Sequence, residues 1–254
     1  MNGFARCLPG LIGCTLFVSA SLQAATLLSQ LDPVLNCGPD DGQAYRILFI
    51  GDSITLHGFN DWTIQHLGWS HLSGMAASSR QSDYASLLSS KISGARGQPT
   101  VACYHTAGGN GTVAQRLQAL GTVISTEPNL VVIQLGEHEE PARGAQRLYE
   151  DYKKLIDAVR AMPSQPSVIA VGPWSLTLQD SAGHYNGWTG VVDQTMAAVA
   201  AQERAPYASV ADIAAIPAAH GAGTSEGVRW HPNDYGQRLY AERLFALYQH
   251  VNAW

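Results

Sequence analysis

The sequence predicts an α/β protein, a three-layer α/β/α sandwich around a parallel five-stranded sheet. Two observations predict it. Short, nearly all-apolar runs recur along the chain, as strands buried on both faces of a parallel sheet require. Between them lie stretches whose apolar residues follow helical spacing. Five alternations of the two patterns call for right-handed crossovers with helices on both faces. The strands are expected at 46–50, 100–104, 130–135 and 167–171, with a weaker one at 208–212. The helices are expected at 83–92, 113–125, 145–162, 190–203 and 233–251. In the third of these, Leu148, Tyr152, Leu155, Ile156 and Val159 share one apolar face. In such a sheet, function gathers in the loops beyond the carboxyl ends of the strands.

A chain of 254 residues, 46% hydrophobic and 14% charged, can build one sizeable core without a second domain. Its net charge of −5 gives no electrostatic reason for a nucleic-acid partner. Residues 1–24 are expected to be a signal peptide. Arg6 precedes an apolar stretch, and Leu22-Gln23-Ala24 places a small residue at a cleavage position. This implies a secreted or periplasmic protein with no stable membrane insertion after cleavage. Leu11-Ile12-Gly13-Cys14 resembles a lipoprotein box, but little apolar sequence precedes it. Residues 25–44 form an N-terminal loop segment and 45–254 the folded domain. Cys37 and Cys103 remain in the mature chain, either as a disulfide or as two separate thiols. Oligomeric state leaves no mark in the sequence.

The chemistry-bearing residues fall at the expected strand ends. Ile-Leu-Phe-Ile stops at Gly51-Asp52-Ser53-Ile54-Thr55, the pattern of a buried strand turning sharply to present a serine hydroxyl. Far downstream, His231-Pro232-Asn233 stands just ahead of the last helix. A serine becomes nucleophilic when a histidine within hydrogen-bond reach takes its proton. Two further loops follow strands two and three: Thr106-Ala107-Gly108-Gly109-Asn110-Gly111-Thr112 and Gly136-Glu137-His138-Glu139-Glu140. The nine histidines show no metal-binding helical spacing, and no Cys-x-x-Cys pair exists, so no cofactor or metal is expected.

From about residue 45 to the C-terminus, the sequence resembles the SGNH (GDSL-type) hydrolase superfamily, esterases and lipases on a flavodoxin-like sandwich. Gly-Asp-Ser-Ile-Thr and His-Pro-Asn, in that order, carry the resemblance. It implies an esterase acting on a short acyl ester of a small molecule or glycan, with Ser53 as nucleophile and His231 as base. It also implies an oxyanion hole from Ser53, a glycine of the second block (Gly109, or Gly111 in the other alignment) and a third donor. The family's third block reads Gly-x-Asn-Asp. Here His138 stands at the asparagine, where an imidazole N–H can donate or merely bond a loop. The family's acid lies three residues before the histidine, where this chain has Val228. Glu226 is the candidate acid if the chain bulges; otherwise a backbone carbonyl orients the ring. Asp52 is expected to fix the turn. The His138 and Val228 departures leave a non-catalytic carbohydrate-binding module as the alternative, and a metal-dependent hydrolase as a third reading.

Gly223-Thr224-Ser225-Glu226-Gly227 also fits a nucleophile-elbow pattern, but no strand precedes it and no long helix follows. Residues 56–82 are long for a strand-to-helix connection and are rich in Trp and His. They are expected to form a lid or wall, with Trp69, His71 and Trp174 binding substrate, or else a hydrophobic cluster that pins the loop.

Overall fold

The computed structural model describes residues 35–251 except Asp41 and Gly108, so the expected signal peptide and residues 25–34 lie outside the described residues. Six strands form one sheet in the order β1-β3-β2-β4-β5-β6. They are β1 Asn36–Cys37, β2 Tyr45–Ile50, β3 Thr100–His105, β4 Leu130–Gln134, β5 Ser167–Val171 and β6 Tyr207–Ala208. From β2 onward every pairing is parallel. The helices are α1 Asp61–Leu67, α2 Tyr84–Arg96, α3 Val113–Ala119, α4 Ala145–Arg160, α5 Gly187–Gln202, α6 Ala211–Ala214, α7 Glu226–Trp230 and α8 Asp234–Val251.

Strand periodicity divides the core in two. Phe49, Val132 and Ile169 point to one face, where Leu88 and Ile92 of α2 and Tyr240 and Leu244 of α8 cover them. Leu48, Val131 and Val168 point to the other, under Leu155 and Val159 of α4 and Met196 and Val199 of α5. The Leu-Val-Val-Ile-Gln of β4 is buried throughout, which explains its unbroken apolar reading. The sheet is the expected α/β sandwich, with one strand more than the five foreseen.

The extra strand, β1, runs antiparallel to β3, with Cys37 directly opposite Cys103. These two cysteines form a disulfide, and so resolve the choice left open by the sequence. A two-residue strand carries no periodicity, so its pairing was invisible beforehand. At the opposite edge the expected strand at 208–212 ends early. The Ser209 hydroxyl donates to Asp193 and accepts the Ala211 N–H, turning the chain into α6. The expected helix at 113–125 ends as a 3-10 turn over Leu120–Thr126. Among the described residues no helix is long and apolar enough to cross a membrane.

Candidate active site

β2 delivers Ser53 to the carboxyl edge of the sheet on a tight turn. The N–H groups of Thr55 and Leu56 both donate to the Asp52 carbonyl, at 3.1 and 3.0 Å. The Asp52 carboxylate accepts the Ile54 N–H at 3.1 Å, so this acid braces the turn as expected. A side chain at Gly51 would run into the Thr55 hydroxyl and the Gln134 carbonyl, so only glycine permits so close a turn.

His231 reaches the same point from the far end of the chain. Ser53 Oγ lies 2.7 Å from His231 Nε2, and both residues are buried. The sequence anticipated this pair, 178 positions apart. The ring is oriented from behind by a backbone group: Nδ1–H donates to the Gly227 carbonyl at 2.5 Å. The short helix α7 explains why that carbonyl is available. His231 caps its C-terminus in an extended conformation and gives its own N–H to Val228. Pro232 then prevents continuation, leaving a last-turn carbonyl for the ring.

Glu226 is therefore not placed where a catalytic acid would stand. It lies exposed in the first turn of α7, and the nitrogen it would have held is bonded to Gly227. No bulge brings it back, because Ser225 caps α7 and fixes its helical start. That cap also gives a structural use to the serine of the elbow-like motif. Val228 packs with Trp69 and Met75 instead. Glu226→Gln is expected to leave kcat/KM within about threefold of the parent, since loss of a true triad acid costs about 10⁴-fold. A fall of a hundredfold or more in ester hydrolysis would restore Glu226 as the acid.

A chain of buried hydrogen bonds joins the two halves of the pair. The Thr55 hydroxyl donates to Gln134 Oε1 at 2.8 Å, and Gln134 Nε2 donates to Glu137 Oε1 at 2.7 Å. The same carboxyl oxygen accepts the Trp174 N–H at 2.7 Å, and Trp174 Nε1–H donates to the Trp230 carbonyl at 2.6 Å. Trp230 immediately precedes His231. Trp174 is fully buried, so it supports the site from beneath and is not open to substrate as the sequence suggested. Burial pushes the Glu137 carboxyl well above the usual carboxylate range, and the adjacent Asp52 carboxylate pushes it further. Protonated Glu137 can donate to Asp52, which accounts for two buried oxygens that otherwise lack hydrogen-bond partners.

On the other side, Arg116 of α3 is almost fully buried with no carboxylate bonded to it. Its Nε–H donates to the Gly51 carbonyl at 2.9 Å and Nη2 to the Thr106 carbonyl at 2.6 Å; Nη2 also bonds the Asn110 carbonyl. One guanidinium thus ties the nucleophile turn to the glycine-rich loop. Sequence reasoning missed it because an arginine on an amphipathic helix ordinarily faces solvent.

The proposed oxyanion donors are only partly in place. Gly109 does lie against Ser53: a methyl group there would come 3.2 Å from Ser53 Cα, with φ at +107°. Its own N–H, however, is bonded to the Thr106 carbonyl at 2.9 Å. Gly111 packs against the Arg116 guanidinium, so Gly109 is the nearer glycine. The Ser53 N–H has no partner among the described residues. His138 stands partly exposed with Nε2 3.8 Å from Asp52, beside the pair and hydrogen-bonded to no loop.

Residues 56–82 form a wall pinned to the site by the Met75 N–H on the Ser53 carbonyl and closed on itself by the His57 N–H on the Ser73 carbonyl, both 2.8 Å. Trp69 is buried in a cluster with Met75 and Val228, and His71 packs on it and bonds the Ala77 carbonyl. Their expected contact with substrate gives way to pinning of the loop. The open aromatic in this segment is Trp62, 57% exposed and stacked on His66. The sequence also passed over His57, whose ring borders Ser53 and Gly109.

The His231 imidazole is lowered to about 4 by burial, an effect partly opposed by the Gly227 carbonyl. It is therefore neutral at physiological pH, with Nε2 free to accept the serine proton. Between Glu137, Trp174, Trp188 and Trp230 lies a small, partly open cavity of about 50 Å³.

A model of the GDSL-like Lipase/Acylhydrolase family matches residues 49–239. Among solved structures, the psychrotrophic esterase EstA from Pseudoalteromonas sp. is similar at 14% identity, covering 82% of this chain and 99% of its own, with a TM-score of 0.55. A two-domain esterase (CEX) active on acetylated mannans is 21% identical and superposes with a TM-score of 0.58 over 84% of this chain and 51% of its own. A mutant of Axe2, an acetyl-xylooligosaccharide esterase from Geobacillus, gives 16% identity, 81% and 94% coverage, and a TM-score of 0.55. Among curated proteins none matches at a significant level.

Proposed function

We propose, for a chain that belongs to the GDSL-like lipase/acylhydrolase family and is a carboxylic ester hydrolase, that it is an exported serine esterase working through Ser53 and His231 without a catalytic acid. The observation that carries this reading is the 2.7 Å contact between Ser53 Oγ and His231 Nε2, with Nδ1 held by a backbone carbonyl.

In the first step Ser53 Oγ attacks the ester carbonyl and passes its proton to His231 Nε2. The oxyanion so formed faces the unengaged Ser53 N–H. A second donor at Gly109 requires its amide to turn away from Thr106 when substrate arrives. The tetrahedral intermediate collapses, His231 protonates the leaving alkoxide, and an acyl-Ser53 remains. Water, activated by the same imidazole, then releases the acid. An acetyl or short acyl group is the proposed acyl half. Neither the small cavity beside Trp230 nor the larger hollow along α2 and β3 is lined by Ser53 or His231. Export is supported by the Cys37–Cys103 disulfide, since such bonds persist in oxidising compartments.

A fluorophosphonate is expected to label one residue, Ser53, and abolish hydrolysis of p-nitrophenyl acetate. The pH profile tests the base separately. Because burial lowers His231 to about 4, kcat/KM should stay level below pH 6.5 and fall only on approach to that lower value. Labelling elsewhere, or an acid limb at the ordinary imidazole value, would contradict the proposal.

A further inference from the structure

We propose that His57 is a substrate-binding residue that accepts a hydrogen bond from a free hydroxyl adjacent to the scissile ester, so that the substrates are monoacyl esters of polyols such as partly acylated sugars. This rests on the serine-esterase reading and names the alcohol half of its substrate.

The geometry begins with the ring's position. A methyl group built on Gly109 would lie 2.6 Å from His57 Cδ2 and 3.2 Å from Ser53 Cα, so ring and nucleophile border the same small space. His57 is held there from three sides. Its N–H bonds the Ser73 carbonyl, its Nδ1 lies 2.6 Å from the Gly58 carbonyl, and Trp69 packs edge-on against the ring with centroids 6.3 Å apart. A carbonyl can only accept, so Nδ1 carries the proton.

The remaining nitrogen, Nε2, is bonded to the Cδ2 that faces Gly109. It has no partner among the described residues, and it is not among the buried atoms left without one. Burial lowers the ring's pKa, so it is neutral at physiological pH and Nε2 offers a lone pair. A fixed acceptor at this place selects for a donor and disfavours a carbonyl or carboxylate. On the alcohol side of an ester, the neutral donor is a hydroxyl on a neighbouring carbon. His231 cannot serve, because its two nitrogens are committed to Ser53 and Gly227.

The test compares kcat/KM for trans-2-acetoxycyclohexanol with that for cyclohexyl acetate, which lacks only the hydroxyl. The parent enzyme is expected to favour the hydroxylated ester about tenfold, the usual scale for one buried hydrogen bond. In His57→Ala the ratio should fall to about that of alkaline hydrolysis of the two esters. His57→Gln, whose side-chain oxygen can accept, should recover several-fold preference. An unchanged ratio in His57→Ala, or a parent ratio no greater than that of alkaline hydrolysis, would overturn the proposal. Hydrolysis of p-nitrophenyl acetate that survives Ser53→Ala would mark failure of the underlying esterase reading instead.

Discussion

Ser53→Ala is expected to lower kcat for p-nitrophenyl acetate by about 10⁴- to 10⁶-fold, to the background set by binding and the remaining donors alone. The size follows from the geometry. Ser53 Oγ is the atom held 2.7 Å from His231 Nε2. The Ser225 of the elbow-like motif is committed to capping α7. His231→Ala should cost a similar factor, because the serine then keeps its proton at neutral pH. The double variant should be little worse than either single one, as expected of groups that act as a unit. Stability is the control. The hydrogen bonds of the two side chains are to each other and to the Gly227 carbonyl, so Tm should move by a few degrees at most. Retained turnover in a folded Ser53→Ala protein would end the mechanism.

The parts of the fold that were legible in the sequence are those whose environment is uniform. β2, β4 and β5 are buried on both faces, so their apolar runs mark them within a residue. Helix α4 declares itself by one continuous buried face. The parts that were hidden depend on single partners. β1 exists as the disulfide partner of β3, and α1 on a capping box between Asn60 and Thr63. At the site, Ser53 and His231 were visible because a turn and a helix start frame them in sequence. A backbone carbonyl as the ring's orienter was one of the two readings open; which residue supplies it was hidden, since any residue has a carbonyl and only the end of α7 decides. Trp69 and Trp174 misled for a related reason: a tryptophan in a functional loop packs beneath a site as readily as it lines one. His57 and Arg116 act through space across unrelated loops, which no local pattern encodes.

Arg116 carries the second large expected effect. Its guanidinium reaches the carbonyls of Gly51, Thr106 and Asn110 and is nearly sealed from water. Burial lowers its pKa, while the neighbouring Asp52 carboxylate acts in the opposite sense. Arg116→Met would take the side-chain donor from the Gly51 and Asn110 carbonyls, leave the Thr106 carbonyl only its backbone donors, and remove the cation near Asp52. Loss of one buried charged partner costs about 3–5 kcal/mol, which in a domain of this size lowers Tm by roughly 10 °C. Arg116→Lys separates the structural part from the positional one. An ammonium restores the charge but cannot span three divergent acceptors as a planar fork does. The glycine-rich loop should then lose its fixed relation to the nucleophile turn. Because that relation matters most when charge develops on the ester oxygen, kcat should fall about a hundredfold with KM little changed. Arg116 is a positioning residue and touches no reacting atom, so slower fluorophosphonate labelling of Ser53 should accompany the fall in kcat. An Arg116→Lys enzyme with parental kcat and parental Tm would show that the two loops hold their geometry without the guanidinium.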